Sequence, residues 1–252
     1  AFIGEKIGDK ENSTENIVIP EKVNFLRDST ISTAITMIVF YLIAAIAAGP
    51  EYTETLSGGK NYIVFALTSA LSFAVGVTIV YNGVRMILSE LIPAFQGISQ
   101  KLIPNAIPAV DCAVFFTYAP NAVLIGFISS FIGGVIGMVI LGAVGAVLII
   151  PGLVPHFFCG ATAGIYGNAT GGKKGAIVGS FVNGLLLSFL PAMLLPVLGN
   201  IGFQNTTFGD FDFGVLGILI GKSTSSIGTA GIYIIVAVLL ANVCFYFISI
   251  FI

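Results

Sequence analysis

The chain has 252 residues, of which 56% are hydrophobic and only 9% are charged, and its net charge at pH 7 is −2. A soluble globular domain carries about 25% charged residues, so this chain lacks the polar side chains that a water-facing surface needs. The composition excludes a soluble domain and predicts an all-α integral membrane protein, a multi-span helical bundle. No basic cluster exceeds the Lys173–Lys174 pair, so we expect no nucleic-acid partner.

Residues 1–28 are predicted to be a polar N-terminal loop. The whole chain has 10 basic and 12 acidic residues, and ten of these 22 lie within residues 1–30. The start on Ala1 resembles neither a signal peptide nor an ordinary start, so we expect a piece of a longer protein. Beyond this loop, five apolar windows approach the length of about 20 residues that crosses a bilayer. These predicted spans are residues 29–48, 62–84, 122–150, 176–198 and 227–252.

The stretches between the spans are apolar but interrupted. Residues 86–102 have apolar positions at helical spacing with polar residues between them, which predicts an interfacial amphipathic helix kinked near Pro93. Three prolines between positions 104 and 120 cannot continue one helix, so we predict a re-entrant hairpin over residues 103–121. Residues 151–172 form a Gly-rich broken segment, and transporters commonly bind substrate at such interruptions.

Asp111 is the strongest candidate for a binding residue, since it is the only carboxylate between Glu90 and Asp210. An ionised group in an apolar, proline-broken segment is costly to bury without a partner, and an intramembrane carboxylate therefore indicates a functional site. A carboxylate also accepts hydrogen bonds from the hydroxyls of a polyol. The alternative is a helix-capping aspartate, because Asp before an apolar run is a common N-cap. The two roles are compatible.

Polar residues around Asp111 extend this candidate site. Asn105, Thr117, Tyr118 and Asn121 bracket it and could add hydrogen bonds to a substrate. His156, the only histidine, lies in the apolar context Pro155–Phe158; its functional interpretation is a proton or substrate contact. The alternative for His156 is a hydrogen-bonded core histidine.

Other chemistries find no support in the sequence. Residues 167–174 nearly match a phosphate-binding loop, but Lys174 stands where Ser or Thr must ligate Mg²⁺, so we interpret the segment as a tight turn. The three cysteines are widely spaced in apolar surroundings and predict neither a disulfide nor a metal site. We find no nucleophile–base arrangement and no paired carboxylates. We therefore expect no catalytic residue, no metal and no cofactor in this chain.

Three blocks of the sequence resemble a known family. They are Leu102–Ala122, which contains Asp111, the pair Val154–Gly160 with Gly164–Gly172, and Phe25–Thr30 before the first span. These blocks are similar to the ascorbate-specific membrane component, IIC, of the bacterial phosphotransferase system. The resemblance runs over essentially the whole chain, but it corresponds only to the C-terminal half of the family's usual length.

The resemblance carries further expectations. It implies half of an inverted-repeat transporter, a homodimer in the bacterial cell membrane, and two re-entrant hairpins that hold L-ascorbate. It maps the family's substrate-contacting aspartate onto Asp111, whereas the ligand-contacting residues of the family's first half have no counterpart here. It also implies partners, the cytoplasmic phosphocysteine-bearing IIB and IIA components, which phosphorylate the substrate. The alternatives are a phosphotransferase permease for another polyol or pentose, an ion-coupled transporter of organic acids, and a non-transporting membrane scaffold.

Overall fold

A computed structural model describes residues 1–17, 29–101, 112–200 and 202–251. Within these ranges the secondary structure is helical, with no strand, so the predicted all-α membrane fold is confirmed. The helices are α1 (Phe2–Ile7), α2 (Ser29–Ala48), α3 (Pro50–Leu56), α4 (Tyr62–Lys101), α5 (Cys112–Phe116), α6 (Pro120–Ala143), α7 (Leu153–Gly199), α8 (Phe211–Ile227) and α9 (Thr229–Phe251). A short 3₁₀ turn, Thr14–Asn16, follows α1.

The chain divides into two compact units, which are described separately. Unit 1 contains residues 1–125 and 164–176, and unit 2 contains residues 126–163 and 177–252. Among the described helices, α4, α6 and α7 are long and apolar enough to cross a membrane. A fourth span is possible if α2 and α3, which meet at a bend of 107°, are counted as one broken span.

In unit 1, α2 packs chiefly against α4. The bend between α2 and α3 falls at Gly49–Pro50, where the proline begins a new helix. The hydroxyl of Thr53 donates to the carbonyl of Ala45 at 3.2 Å and so ties α3 back to α2. Helix α4 runs without interruption through residues 62–84 and 86–101, where we expected a span and a separate interfacial helix, and it includes Pro93.

Helix α6 ends at Ala143, seven residues before the end of the predicted span. The cause is Gly145, whose φ of +69° closes the helix with a left-handed residue. The N–H of Ala146 donates to the carbonyl of Leu141 at 2.9 Å, and the N–H of Gly145 donates to that of Gly142 at 3.2 Å. These two bonds satisfy carbonyls that the helix end would otherwise leave unpaired.

Helix α7 is a helical hairpin. Its backbone is non-helical at Gly171 and Gly172, where the chain reverses between two arms. Within unit 1 the arms touch at Gly167 and Gly175, each of which has no room for a Cβ because of the other's backbone. The predicted Gly-rich broken segment is therefore helical from Leu153 onward, and its break is confined to the turn.

In unit 2, small residues bring α6 and the arms of α7 close together. A Cβ on Gly133 would collide with the carbonyl of Phe181, and one on Gly184 would collide with that of Ser130. The hydroxyl of Ser180 on one arm donates to the carbonyl of Gly160 on the other at 3.0 Å. Close backbone approach at small residues is how helices associate in lipid.

Candidate functional site

The N-terminus of α6, which follows the segment that contains Asp111, is capped by a side chain far away in sequence. The position that should supply the cap is Ala119, whose carbonyl accepts the first helical bond from Val123 at 3.0 Å but whose side chain has no oxygen. Pro120 occupies the first helical position and has no N–H. The first free donors are therefore the backbone N–H groups of Asn121 and Ala122.

Both donors bind the carboxylate of Glu15. The N–H of Ala122 donates to its Oε1 at 2.9 Å, and the N–H of Asn121 donates to its Oε2 at 3.3 Å. The hydroxyl of Thr14 donates to the same Oε1 at 3.0 Å. A carboxylate at this place is stabilised for two reasons. It satisfies unpaired N–H donors, and its negative charge complements the positive end of the helix dipole.

A second set of bonds joins the same N-terminal segment to α7. The buried side chain of Asn168 accepts from the N–H of Thr14 at 2.8 Å through Oδ1. Its Nδ2 donates to the hydroxyl of Ser13 at 3.0 Å. Thr14 itself is completely buried, which is unusual for a residue of a polar segment near α1. Asn168 therefore anchors residues 13–15 from the α7 side.

The turn of the α7 hairpin makes backbone contacts with the N-terminal segment. The N–H of Asp9 donates to the carbonyl of Gly171 at 3.2 Å, and the N–H of Lys173 donates to the carbonyl of Asn12 at 2.8 Å. Gly172 has φ +58° and ψ −150°, a conformation that side chains rarely allow. A Cβ there would also collide with the carbonyl oxygens of Asp9 and Asn12. The near match to a phosphate-binding loop is thus a turn filled by the protein's own backbone.

The predicted ligands near Asp111 occupy different environments. Asp111 and Asn105 lie outside the described residues. Thr117 donates its hydroxyl to the carbonyl of Val114 at 3.0 Å, while the side chain of Tyr118 is 78% exposed. The Nδ2 of Asn121 donates to the carbonyl of Thr14 at 3.2 Å. Thr117 and Tyr118 lie in the turn between α5 and α6, and Asn121 lies in the first turn of α6, where it is already held in place; all three belong to unit 1.

His156 belongs to unit 2 and is buried among helices. Its ring is 2% exposed, and Nδ1 lies 2.9 Å from the hydroxyl of Ser130 on α6. The ring packs edge-on against Phe131, with centroids 5.7 Å apart, and fills the space that a Cβ on Gly134 would need. These contacts are those of a hydrogen-bonded core histidine, the alternative that the sequence left open. Its role in substrate binding stays a prediction.

Sequence reasoning missed Glu15, Asn168 and Ser130. One signal for Glu15 existed: Ala119 occupies the cap position of α6 and has no side-chain acceptor, so the acceptor must come from elsewhere in the chain. Nothing in the local sequence identifies Glu15 as the residue that provides it. Asn168 was visible only as part of the Gly-rich segment. As for metals, the described residues contain no group of three His, Cys, Asp or Glu side chains that could bind an ion.

Comparison with known proteins gives two matches. The family described as PTS system sugar-specific permease component matches residues 1–212. The ascorbate-specific PTS system EIIC component of Mycoplasma pneumoniae is 27% identical over 197 residues, an alignment that covers 67% of this chain. The chain spans only 30% of that relative's length.

Proposed function

Because the chain belongs to the family of sugar-specific permease components of the phosphotransferase system, we propose that it forms part of a permease that binds and translocates L-ascorbate. The observation that carries the choice of substrate is the likeness to the ascorbate-specific component of Mycoplasma pneumoniae, at 27% identity. Membership of this family, together with helices that are long and apolar enough to span a bilayer, makes the chain a multi-pass protein of the cell membrane.

In the proposed mechanism the chain supplies a gated pocket and no covalent chemistry. The carboxylate of Asp111 accepts hydrogen bonds from substrate hydroxyls. Asn105, Thr117, Tyr118 and Asn121 add polar contacts around it. Support comes from the turn before α6, where the exposed side chain of Tyr118 is open to contact, and from the first turn of α6, where Asn121 is fixed by its bond to Thr14.

The partners that we propose follow from the same family. A cytoplasmic IIB component with a phosphocysteine, fed by IIA, phosphorylates the substrate once it has crossed the membrane. Phosphorylation adds charge to the product, which prevents its return and makes uptake irreversible. We also propose that the permease acts as a homodimer.

Equilibrium binding of radiolabelled L-ascorbate to the full-length protein, purified in lipid nanodiscs, tests the proposal. The variant is Asp111→Asn, which keeps the side-chain shape but removes the charge, and the control is Glu90→Gln on α4, an exposed carboxylate. We expect Asp111→Asn to weaken binding about tenfold or more, since a hydrogen bond to a charged group contributes about 1.5–3 kcal/mol. The control should bind as the wild type does. Equal binding by wild type and Asp111→Asn would remove Asp111 from the site.

Competition by unlabelled sugars in the same assay decides the substrate. L-Ascorbate should displace the label, whereas galactitol and pentoses should not. If the wild type binds galactitol or a pentose in preference, the proposed substrate is wrong and is another polyol or a pentose. The proposed permease function would stand.

A further inference from the structure

We propose that residues 1–17, called the strap below, form a positioning element for substrate binding, and that Glu15 of the strap and Asn168 of α7 are positioning residues. The strap joins two parts of unit 1 that are distant in sequence: the start of α6 and the turn of the α7 hairpin. The inference rests on the proposed function, because it concerns how the segment that carries Asn121 and follows Asp111 is held.

The first step is the capping of α6 by the strap. The two free N–H groups at the start of α6, those of Asn121 and Ala122, bind one carboxylate, that of Glu15. The side chain of the adjacent Ala119 offers no alternative acceptor. A local cap would have stabilised α6 without linking it to anything. A cap from 107 residues away stabilises α6 only when the strap is in place, so the position of the helix start depends on the strap.

The second step is the anchoring of the strap on the hairpin. Asn168 holds Ser13 and Thr14, the two residues before Glu15. The carbonyl of Gly171 and the N–H of Lys173 add two backbone bonds to the strap on either side of Gly172. Gly4 of α1 packs so closely on Thr170 that a Cβ at Gly4 would lie 2.5 Å from its hydroxyl. The strap is thus fixed to the hairpin along its length.

The third step connects these contacts to the ligand. Asn121 is bound twice by the strap, through its N–H to Glu15 and through its side-chain Nδ2 to the carbonyl of Thr14. The strap therefore sets both the backbone position and the side-chain orientation of a proposed substrate ligand. A pocket whose ligands are held before binding loses less entropy when the substrate arrives, which raises affinity.

The test separates positioning from simple helix capping. Glu15→Gln removes the charge and one of the two acceptor oxygens, and Glu11→Gln, at an exposed residue of the strap, makes the same charge change as a control. Ala119→Ser, combined with Glu15→Gln, supplies a local N-cap to α6 without restoring the link to the hairpin. Ascorbate Kd and thermal stability are measured for each full-length protein in nanodiscs.

We expect Glu15→Gln to raise the Kd about tenfold and Glu11→Gln to leave it within twofold of the wild type. Adding Ala119→Ser should recover the thermal stability but not the affinity. Recovery of both would show that Glu15 only caps a helix, and an unchanged Kd in Glu15→Gln would also overturn the proposal. If Glu15→Gln does not fold, Thr14→Val, which removes only the hydroxyl donor to Glu15, must raise the Kd in the same direction.

The wild type in the same assay keeps this test apart from that of the proposed function. If the wild type binds none of the sugars, the proposed substrate has failed. Hydrogen exchange of the Asn121 and Ala122 amides then decides the strap on its own: faster exchange in Asn168→Ala, which removes the anchor on the hairpin and leaves Glu15 in place, supports it, and unchanged exchange contradicts it.

Discussion

Substitution of Gly172 by alanine should destabilise the protein far more than alanine at another glycine with positive φ. At Gly172 two costs combine: a backbone conformation, φ +58° and ψ −150°, that costs roughly 1–3 kcal/mol for a residue with a side chain, and a collision with the carbonyls of Asp9 and Asn12. Relief of the collision moves the strap and weakens the bond between Lys173 and Asn12, worth about 0.5–1.5 kcal/mol.

The matched control is Gly58→Ala. Gly58 has φ +73°, but a Cβ there would meet no atom within 4 Å, so only the backbone cost of about 1–2 kcal/mol applies. We expect Gly172→Ala to lower the free energy of unfolding by about 2 kcal/mol more than Gly58→Ala does, as measured by denaturant titration in mixed micelles. Equal losses in the two variants would refute the packing of the strap on the hairpin turn.

Three further predictions concern unit 2. Alanine at Gly184 should lower the free energy of unfolding by about 1–3 kcal/mol in the same titration, because its Cβ meets the carbonyl of Ser130. Alanine at Gly199, in open space on the same helix, should be neutral or slightly stabilising. Similar losses in the two variants would argue against the close packing of α6 on α7. A double-mutant cycle on Ser130→Ala and His156→Phe should give a coupling energy of about 1 kcal/mol, and additive effects would show that their 2.9 Å hydrogen bond contributes nothing. The amide of Asn183 is buried and pairs with no group among the described residues, so Asn183→Leu should leave the protein equally stable or raise its free energy of unfolding by about 1 kcal/mol; a loss of that size would indicate an internal water or ligand on the amide.

The membrane class and the main helices were predictable because they follow from composition and from apolar runs near the length of a bilayer crossing. The end of α6 was predictable in principle too, since Gly145 is a local signal at a fixed distance from the last helical turn. Our longer estimate, to residue 150, followed the apolar run past that glycine. The local signal of Gly145 was available, but our prediction gave more weight to the length of the apolar run.

The α7 hairpin shows where local rules lead away from the structure. Glycine costs roughly 1 kcal/mol in a helix interior, so a segment with many glycines was expected to be broken throughout. In the structure Gly167 and Gly175 are helical because the arms approach each other there, a tertiary contact that offsets the loss of intrinsic helix propensity. Only the turn at Gly171 and Gly172 needs the conformational freedom that the sequence suggested.

The candidate site was predictable only in part, for a similar reason. Asp111 and its polar neighbours were selected because a charge in an apolar segment is locally anomalous, and their role in binding stays a prediction. Glu15 was one acidic residue among several in a polar segment, and its role depends on contacts with residues 106 and 107 positions later. Pairings at that separation follow from the fold and not from any periodicity of the sequence.

Uptake of radiolabelled L-ascorbate in cells that express the full-length protein, with and without the IIB and IIA components, tests whether the protein is a permease that works with a phosphoryl carrier. We expect the label to accumulate as a phosphorylated sugar acid only when both carriers are present. Accumulation of unmodified ascorbate without the carriers, abolished by an uncoupler of the proton gradient, would rule out phosphorylation-dependent uptake and favour an ion-coupled transporter.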